Sequence, residues 1–206
     1  MQIISKYFSS LTETQTKQLS MLQDLYNDWN AKINVISRKD IQELYEHHVL
    51  HSLAIAKFIN FKSGTNILDF GTGGGFPGIP LAILFPECRF TLIDGTGKKV
   101  RVAQEVATTI GLKNVETKHI RGEEEKGKYD FVVSRAVMPL PELIKIVRKN
   151  ISKQQKNVFP NGIICLKGGS LADELKPFSN IVQVTEISNW FTEEWFQTKQ
   201  VVYLPL

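Results

Sequence analysis

Five glycines and one aspartate in the segment Asp69–Gly78 are the residues whose types and spacing best suit ligand binding. Glycine lets a backbone turn tightly and approach a ligand without obstruction by a Cβ atom. The apolar run Ile67–Phe70 precedes the glycines and predicts a buried strand, and Pro77 suits the first turn of a helix. We therefore predict a strand, a turn and a helix start that bind a nucleoside cofactor at the carboxyl edge of a sheet.

Two cofactors compete for this turn. Gly73, Gly75 and Gly78 satisfy the GxGxxG pattern of dinucleotide sites, which makes an NAD-type oxidoreductase one alternative. Asp69, however, extends the pattern to Asp-x-Gly-x-Gly-x-Gly, and its carboxylate would repel a pyrophosphate but suits a sulfonium and an amino group. The motif also stands about 65 residues into the chain, whereas dinucleotide domains usually open with it. These features favour S-adenosylmethionine.

A second carboxylate follows at the end of the next predicted strand. Asp94 stands 23 positions after Gly71, and a carboxylate there can accept both ribose hydroxyls of a nucleoside. This spacing supports nucleoside binding but does not distinguish S-adenosylmethionine from NAD.

The elements that would position these residues fall into two groups. Residues 1–62 are predicted to form an N-terminal helical extension, with amphipathic helices over 10–33 and 39–60. Residues 63–206 alternate between strand and helix patterns, which predicts an α/β core with a parallel sheet and helices on both faces. The predicted strands are Asn66–Phe70, Arg89–Asp94, Asn114–Ile120, Tyr129–Ser134, Gly162–Lys167, Ile181–Ile187 and Gln200–Leu204, the last two forming a closing pair with one strand antiparallel. The predicted helices of the core are 78–85, 97–110, 139–150 and 170–177.

Composition excludes several classes of protein. The 206 residues carry a net charge of +4 and a pI of about 9.0, a mild basic bias that is compatible with a nucleic-acid partner. Cys88 and Cys165 are too few for a disulfide framework, and we expect both to be core residues. No apolar run approaches the roughly 20 residues of a membrane span, so we expect a cytoplasmic protein.

Several motifs stand in one order that resembles the glucose-inhibited division protein B family. They are Asn34–Ser37, Glu46–Leu53, ILDFGTGGGFPGIPLA, Thr91–Asp94, Ser134–Val137 and Leu166–Gly168. The resemblance implies a class I (Rossmann-like) S-adenosylmethionine-dependent methyltransferase fold, with a seven-stranded, mostly parallel sheet whose last strand is reversed. It also implies methylation of N7 of a guanine in 16S ribosomal RNA of the small subunit. The implied partner is this RNA or the 30S subunit, and we expect a monomer.

The turn and Asp94 follow from the residues, whereas Gly122, Glu123 and Arg135 rest on the resemblance. Arg135 is the predicted catalytic residue, because its planar donor fork can hold guanine O6, a phosphate or the cofactor carboxylate. A surface ion pair is the alternative role. The predicted cofactor contacts are Asp69, Gly71, Gly73, Gly75, Phe76, Asp94, Gly95, Thr96, Gly122, Glu123 and Arg135.

The residue types are compatible with a guanine N7 acceptor. Enzymes that methylate exocyclic amino groups often carry Asn/Asp-Pro-Pro-aromatic after the fourth strand, where this chain has Ser134–Val137. Methylation of cytosine C5 needs a cysteine nucleophile near a proline, and the Pro86–Cys88 segment lies in the wrong place. Guanine N7 has a free lone pair and needs no deprotonation, so a site without an obvious general base suits it.

Further residues are candidates for RNA contact. Arg121 and Lys167, at the predicted sheet edge, are expected to meet RNA phosphate, and the resemblance suggests that His48 positions RNA or the cofactor loop. Glu43, His47 and His51 share one helix face, but nothing else completes a metal site, so we predict none. Trp190, Phe191, Trp195 and Phe196 are expected to pack the C-terminal strands rather than stack on bases. A non-enzymatic RNA- or ribosome-binding module is the remaining alternative.

Overall fold

The computed structural model describes residues 1–37, 39–135 and 137–206. Its strands are β1 (Asn66–Phe70), β2 (Arg89–Asp94), β3 (Val115–His119), β4 (Phe131–Arg135), β5 (Gly162–Gly168), β6 (Gln183–Glu186) and β7 (Lys199–Pro205). Its α-helices are α1 (Gln2–Tyr7), α2 (Glu13–Ser20), α3 (Leu22–Lys32), α4 (His51–Phe58), α5 (Gly78–Leu84), α6 (Gly97–Thr109), α7 (Leu140–Val147) and α8 (Ala172–Leu175).

The strands form one sheet in the order β3-β2-β1-β4-β5-β7-β6. Strand β7 runs antiparallel to both of its neighbours, and the other pairings are parallel. The α/β fold with a seven-stranded, mostly parallel sheet and a reversed last strand is therefore confirmed. The strand order changes direction at β1, where β2 lies on one side and β4 on the other, and such a switch point opens a crevice at the carboxyl ends of the strands.

The strands of the core lie close to their predicted positions. β1 and β2 have the predicted bounds, because their near-continuous apolar residues are buried on both faces of the sheet. β4 begins two residues later than predicted, since Tyr129 forms an isolated bridge with Ile151 before the strand pairs with β1.

The N-terminal helices differ from the prediction. The single helix expected over 10–33 is two helices, α2 and α3, and α1 was not expected. The hydroxyl of Tyr45 donates to the carbonyls of Leu19 and Ser20 at 3.0 and 3.2 Å, so a tertiary contact takes acceptors that a continuous helix would use. Helix α2 begins with a capping box formed by Thr12 and Gln15.

The second predicted helix, 39–60, begins later than predicted, and its first part is a π-helix rather than an α-helix. A π-helical segment, Leu44–Leu50, precedes α4, and the backbone N–H of His51 donates to the carbonyl of Glu46. Such π segments are rare and often occur at functional sites. Here the segment carries His47 and His48 to the carboxyl edge of the sheet. Within the described residues, the helices are too short or too polar to cross a bilayer.

The N-terminal helices share a hydrophobic core with the sheet. Ile4, Leu22 and Tyr26 belong to the same buried cluster as Phe90 of β2 and Val106 of α6. The boundary at residue 62 between extension and core stays a prediction. Cys88 and Cys165 are buried free thiols, as expected.

Candidate active site

The glycine turn after β1 adopts backbone conformations that side chains disfavour. Gly71 and Gly73 have φ angles of 69° and 57°, in the left-handed region. A Cβ atom on Gly71 would also lie 2.5 Å from a methyl carbon of Val137, so this position has no room for a side chain. The turn thus exposes backbone at the carboxyl end of the central strand.

Asp69, at the end of β1, stabilises this turn through hydrogen bonds to two of its residues. Its side chain is completely buried, and Oδ2 accepts hydrogen bonds from the Thr72 hydroxyl at 2.6 Å and the Gly78 backbone N–H at 2.7 Å. Burial raises the pKa of Asp69 to about 7, although both hydrogen bonds oppose this shift. The carboxylate of Asp69 thus contacts the turn itself, and its predicted role beside a sulfonium stays a prediction.

Asp94 connects the turn to the next strand. Its Oδ2 accepts from the Gly73 backbone N–H at 2.9 Å and its Oδ1 from the Thr96 N–H at 2.7 Å. The hydroxyl of Tyr26, on α3, donates to the Gly74 carbonyl at 2.7 Å. The turn is therefore held by two carboxylates of the sheet and by one tyrosine of the N-terminal region.

A cavity of about 420 Å³, the glycine-loop cavity, opens at the ends of β1, β2 and β3. Among the predicted cofactor residues, Gly71, Asp94, Gly95, Thr96, Gly122 and Glu123 line it, and the predicted RNA contact Arg121 lines it as well. Asp69, Gly73, Gly75, Phe76 and Arg135 do not belong to its lining.

A second cavity of about 320 Å³, the Arg135 cavity, lies at the ends of β4 and β5. Its lining comes from the π-helical segment, from β5 and from the C-terminal segment that leads into β7. The lining residues are Asp40, His47, His48, His51, Arg135, Leu166, Lys167, Gly168, Trp195 and Lys199.

Arg135 is bonded to the N-terminal region. Its Nη2 donates to Nδ1 of His48 at 3.0 Å and its Nη1 to the His47 carbonyl at 3.4 Å, while its guanidinium lies 5.1 Å from the centroid of the Phe76 ring. Because a guanidinium has only donors, Nδ1 of His48 must accept, and His48 is therefore neutral. Burial and the charge of Arg135 lower the pKa of His48 to about 3. Burial lowers the pKa of Arg135 to about 10, so it stays charged at neutral pH.

Lys167 has a different environment from the one predicted. Its ammonium lies 2.6 Å from Oε1 of Glu174 and donates to the Met138 carbonyl at 2.8 Å, and its side chain is only 9% exposed. The same Glu174 oxygen accepts from the Leu140 backbone N–H at 2.6 Å. Lys167 and Glu174 thus hold the loop after β4, and a contact of Lys167 with RNA phosphate stays a prediction.

Trp195 forms one wall of the Arg135 cavity. Its ring is stacked on that of His47, with centroids 4.3 Å apart and planes 13° apart, and it meets His51 edge to face at 5.0 Å. Phe191 and Phe196 are fully buried, as expected for packing residues. The described residues include no group of three or more acidic, histidine or cysteine side chains that could hold a metal ion.

Sequence reasoning missed part of this site. Tyr26, Asp40, Glu174 and Lys199 lie far apart in the chain, and no local motif marks them. Tyr26 lies within the amphipathic helix predicted over 10–33, and such a pattern indicates packing but not contact with a loop.

The sheet order and the crevice beside β1 define a class I methyltransferase fold, and comparisons with solved structures agree. A methyltransferase from Aquifex aeolicus, described as S-adenosylmethionine-dependent, matches at 20% identity and a TM-score of 0.57, covering 83% of this chain and 100% of that one. A mutant of MtNAS, solved with S-adenosylmethionine, matches at 12% identity and a TM-score of 0.59, covering 93% and 76%.

The family is shown by the sequence comparisons. The model of the GidB family, described as rRNA small subunit methyltransferase G, matches residues 15–202, and the chain belongs to this family. A protein of that name from Bacteroides thetaiotaomicron is 66% identical over 203 residues, which cover 98% of each chain. The resemblance drawn from the motifs is confirmed, and the oxidoreductase and non-enzymatic alternatives are set aside.

Proposed function

We propose that this enzyme transfers a methyl group from S-adenosylmethionine to N7 of a guanine in 16S ribosomal RNA of the small subunit. The observation that carries the proposal is that a third cavity connects the glycine-loop cavity and the Arg135 cavity at the carboxyl edge of a methyltransferase sheet. A smaller cavity of about 300 Å³ shares Val137 and Met138 with the glycine-loop cavity, and Lys167 and Gly168 with the Arg135 cavity. A cofactor in one cavity and a base in the other would meet beneath the loop after β4.

The residues of the glycine-loop cavity fit S-adenosylmethionine. Asp94 is half-buried, and each of its oxygens accepts one backbone N–H but retains capacity for a ribose hydroxyl. Gly71 has no side chain, so the backbone after β1 is accessible at the carboxyl edge of the sheet. When bound, the cofactor would supply a methyl group on a sulfonium. The chain would then need to orient the acceptor and exclude water.

Two of the three histidines that line the Arg135 cavity are weak bases, which suits an acceptor that loses no proton. Burial lowers the pKa values of His48 and His51 well below the usual range, so neither is protonated or strongly basic at neutral pH. The pKa of Asp40 is lowered by the hydrogen bond from the Ser37 hydroxyl, which makes its carboxylate a weaker base. Guanine N7 already carries a lone pair. The guanidinium of Arg135 uses only part of its donor set and has N–H groups left for guanine O6 or a phosphate.

Labelled methyl transfer tests the proposal. Small subunits from cells that lack this enzyme are incubated with it and methyl-labelled S-adenosylmethionine, and the modified nucleotide is mapped by mass spectrometry. We expect one 7-methylguanosine in 16S RNA. Subunits from cells that contain the enzyme are the matched control and should accept almost no label. Label on another base or another guanine atom would contradict the proposal.

We also propose that the enzyme works as a monomer. One chain supplies the residues named in both cavities. Light scattering with and without S-adenosylmethionine would check this, and a dimer that dissociates with loss of activity would contradict it.

A further inference from the structure

Trp195 presents a rigid aromatic face to the Arg135 cavity. It lies in the short 3₁₀ segment Glu194–Thr198, next to the fully buried Phe196, whose ring meets the indole edge to face at 5.1 Å. His47 covers one side of the indole as a parallel stack. The indole therefore has a fixed orientation before any ligand binds.

A cation already lies against this indole. The Nζ atom of Lys199 lies over the Trp195 ring, 4.5 Å from its centroid, and covers the face above which it lies. Among the described residues, Lys199 has no carboxylate within 4.0 Å, and its side-chain hydrogen bond is to the Thr198 hydroxyl at 3.3 Å. Such a contact is weak outside a fully desolvated site. A ligand can therefore displace the ammonium readily.

We propose that the acceptor guanine stacks on this face of Trp195 in place of the Lys199 ammonium, and that the indole stabilises the positive charge the ring gains on methylation. The inference rests on the proposed function. The lone pair of N7 forms the new N–CH₃ bond, and the S–CH₃ bond breaks with its electron pair left on sulfur. Positive charge passes from the sulfonium to the purine, and no proton moves. An indole face attracts such a cation just as it attracts an ammonium.

The displaced ammonium of Lys199 would also be able to contact the RNA. RNA brings phosphates next to the base, and Lys199 leaves the indole as a free cation at the mouth of the cavity. When the guanine replaces the ammonium on the indole, Lys199 exchanges its contact with Trp195 for a contact with an RNA phosphate.

Fluorine NMR tests the stacking without cofactor or turnover. The full chain contains three tryptophans, so 5-fluorotryptophan labelling gives three resonances, and Trp195→Phe assigns one of them. We expect 7-methylguanosine monophosphate to shift the Trp195 resonance at lower concentration than guanosine monophosphate, by about threefold or more. Trp29 and Trp190 are the internal controls and should not shift. Equal affinity of the two nucleotides, or no shift of Trp195, overturns the proposal.

Turnover separates the electronic role from a structural one. In a Trp29→Phe, Trp190→Phe background, tryptophans with one, two and three fluorines weaken the indole face with little change in size. We expect kcat to fall stepwise with fluorine number, and Trp195→Leu to lose about tenfold, while affinity for S-adenosylmethionine stays the same by calorimetry. A kcat independent of fluorination overturns the charge-stabilising role. If the wild-type enzyme methylates no guanine N7, the proposed function fails instead, and the two failures are distinct.

Discussion

The glycine-loop cavity and the Arg135 cavity lie at the same edge of the sheet. They differ in how far apart in the chain their hydrogen-bonded residues lie. Beside the first, Asp69 and Asp94 hold the glycine turn through bonds to residues 2 to 21 positions away, and Tyr26 adds one bond over 48 positions. In the second, Arg135 bonds to His48 over 87 positions. The first cavity is built from strand ends and their turns, and the second needs the N-terminal helices and the C-terminal segment to be docked. We expect substitutions in the first to affect cofactor binding and those in the second to affect turnover.

Arg135→Ala should have the largest effect and should test this division directly. Loss of the guanidinium removes donors for the acceptor, so we expect kcat to fall by about a hundredfold or more. Because Arg135 does not line the glycine-loop cavity, the dissociation constant of S-adenosylmethionine should change less than tenfold. Single-turnover methylation and calorimetry measure the two quantities. Wild-type turnover, or a loss confined to cofactor binding, would break the comparison.

Asp69→Ala should lower stability rather than turnover alone. The substitution leaves the Gly78 N–H and the Thr72 hydroxyl without their buried acceptor, and we expect the free energy of unfolding to fall by about 2–4 kcal/mol. Asp69→Asn keeps an acceptor oxygen and is the matched control. Urea denaturation at pH 6 measures both variants, and equal stability of Ala and wild type would show that the turn does not depend on this anchor.

The same residue predicts a pH dependence. The native pKa of Asp69, about 7, lies above the ordinary value of 3.8. The native state therefore holds this proton more tightly than the unfolded chain does, so the stabilisation is complete below about pH 4 and is lost as pH rises through 7. Relative to Asp69→Asn, the wild type should lose stability between these pH values. Parallel stability curves would contradict the raised pKa.

Asp94→Ala tests whether the glycine-loop cavity binds the cofactor. It removes both the contacts to Gly73 and Thr96 and a carboxylate for the ribose, so we expect cofactor binding to weaken by about 1–3 kcal/mol. Asp94→Asn should lose less, since one oxygen remains. Calorimetry measures the affinities, and an unchanged affinity in the alanine variant would remove Asp94 from the site.

Substitutions of Arg121 and Lys167 should have the smallest effects. We expect the first to change RNA affinity and the second to change kcat. Arg121 is exposed, whereas Lys167 is paired with Glu174. If Arg121 meets a phosphate, Arg121→Met should reduce the slope of log affinity for RNA against log salt by about 0.7–0.9. Lys167→Met should leave that slope unchanged and lower kcat by loosening the loop after β4. A reduced slope for Lys167→Met would restore it as a phosphate contact.

Within the chain, local patterns determined the elements and the cofactor turn. The apolar run before Gly71 predicted β1, and the spacing to Asp94 predicted a second carboxylate at the same edge, because the carboxyl ends of parallel strands meet there. Apolar periodicity and glycine positions are local features of the chain, so the amino-acid order reveals them.

Only the tertiary structure decided the side chains around Arg135. The Tyr45 hydroxyl donates to the Leu19 carbonyl, the Tyr26 hydroxyl donates to the Gly74 carbonyl, and Arg135 donates to Nδ1 of His48. Each of these contacts joins segments that lie far apart in sequence, and no residue pattern near either partner encodes the other. The glycine turn was visible in the amino-acid order because its glycines follow directly on an apolar strand pattern, and the second cavity was not because docking of distant elements forms it.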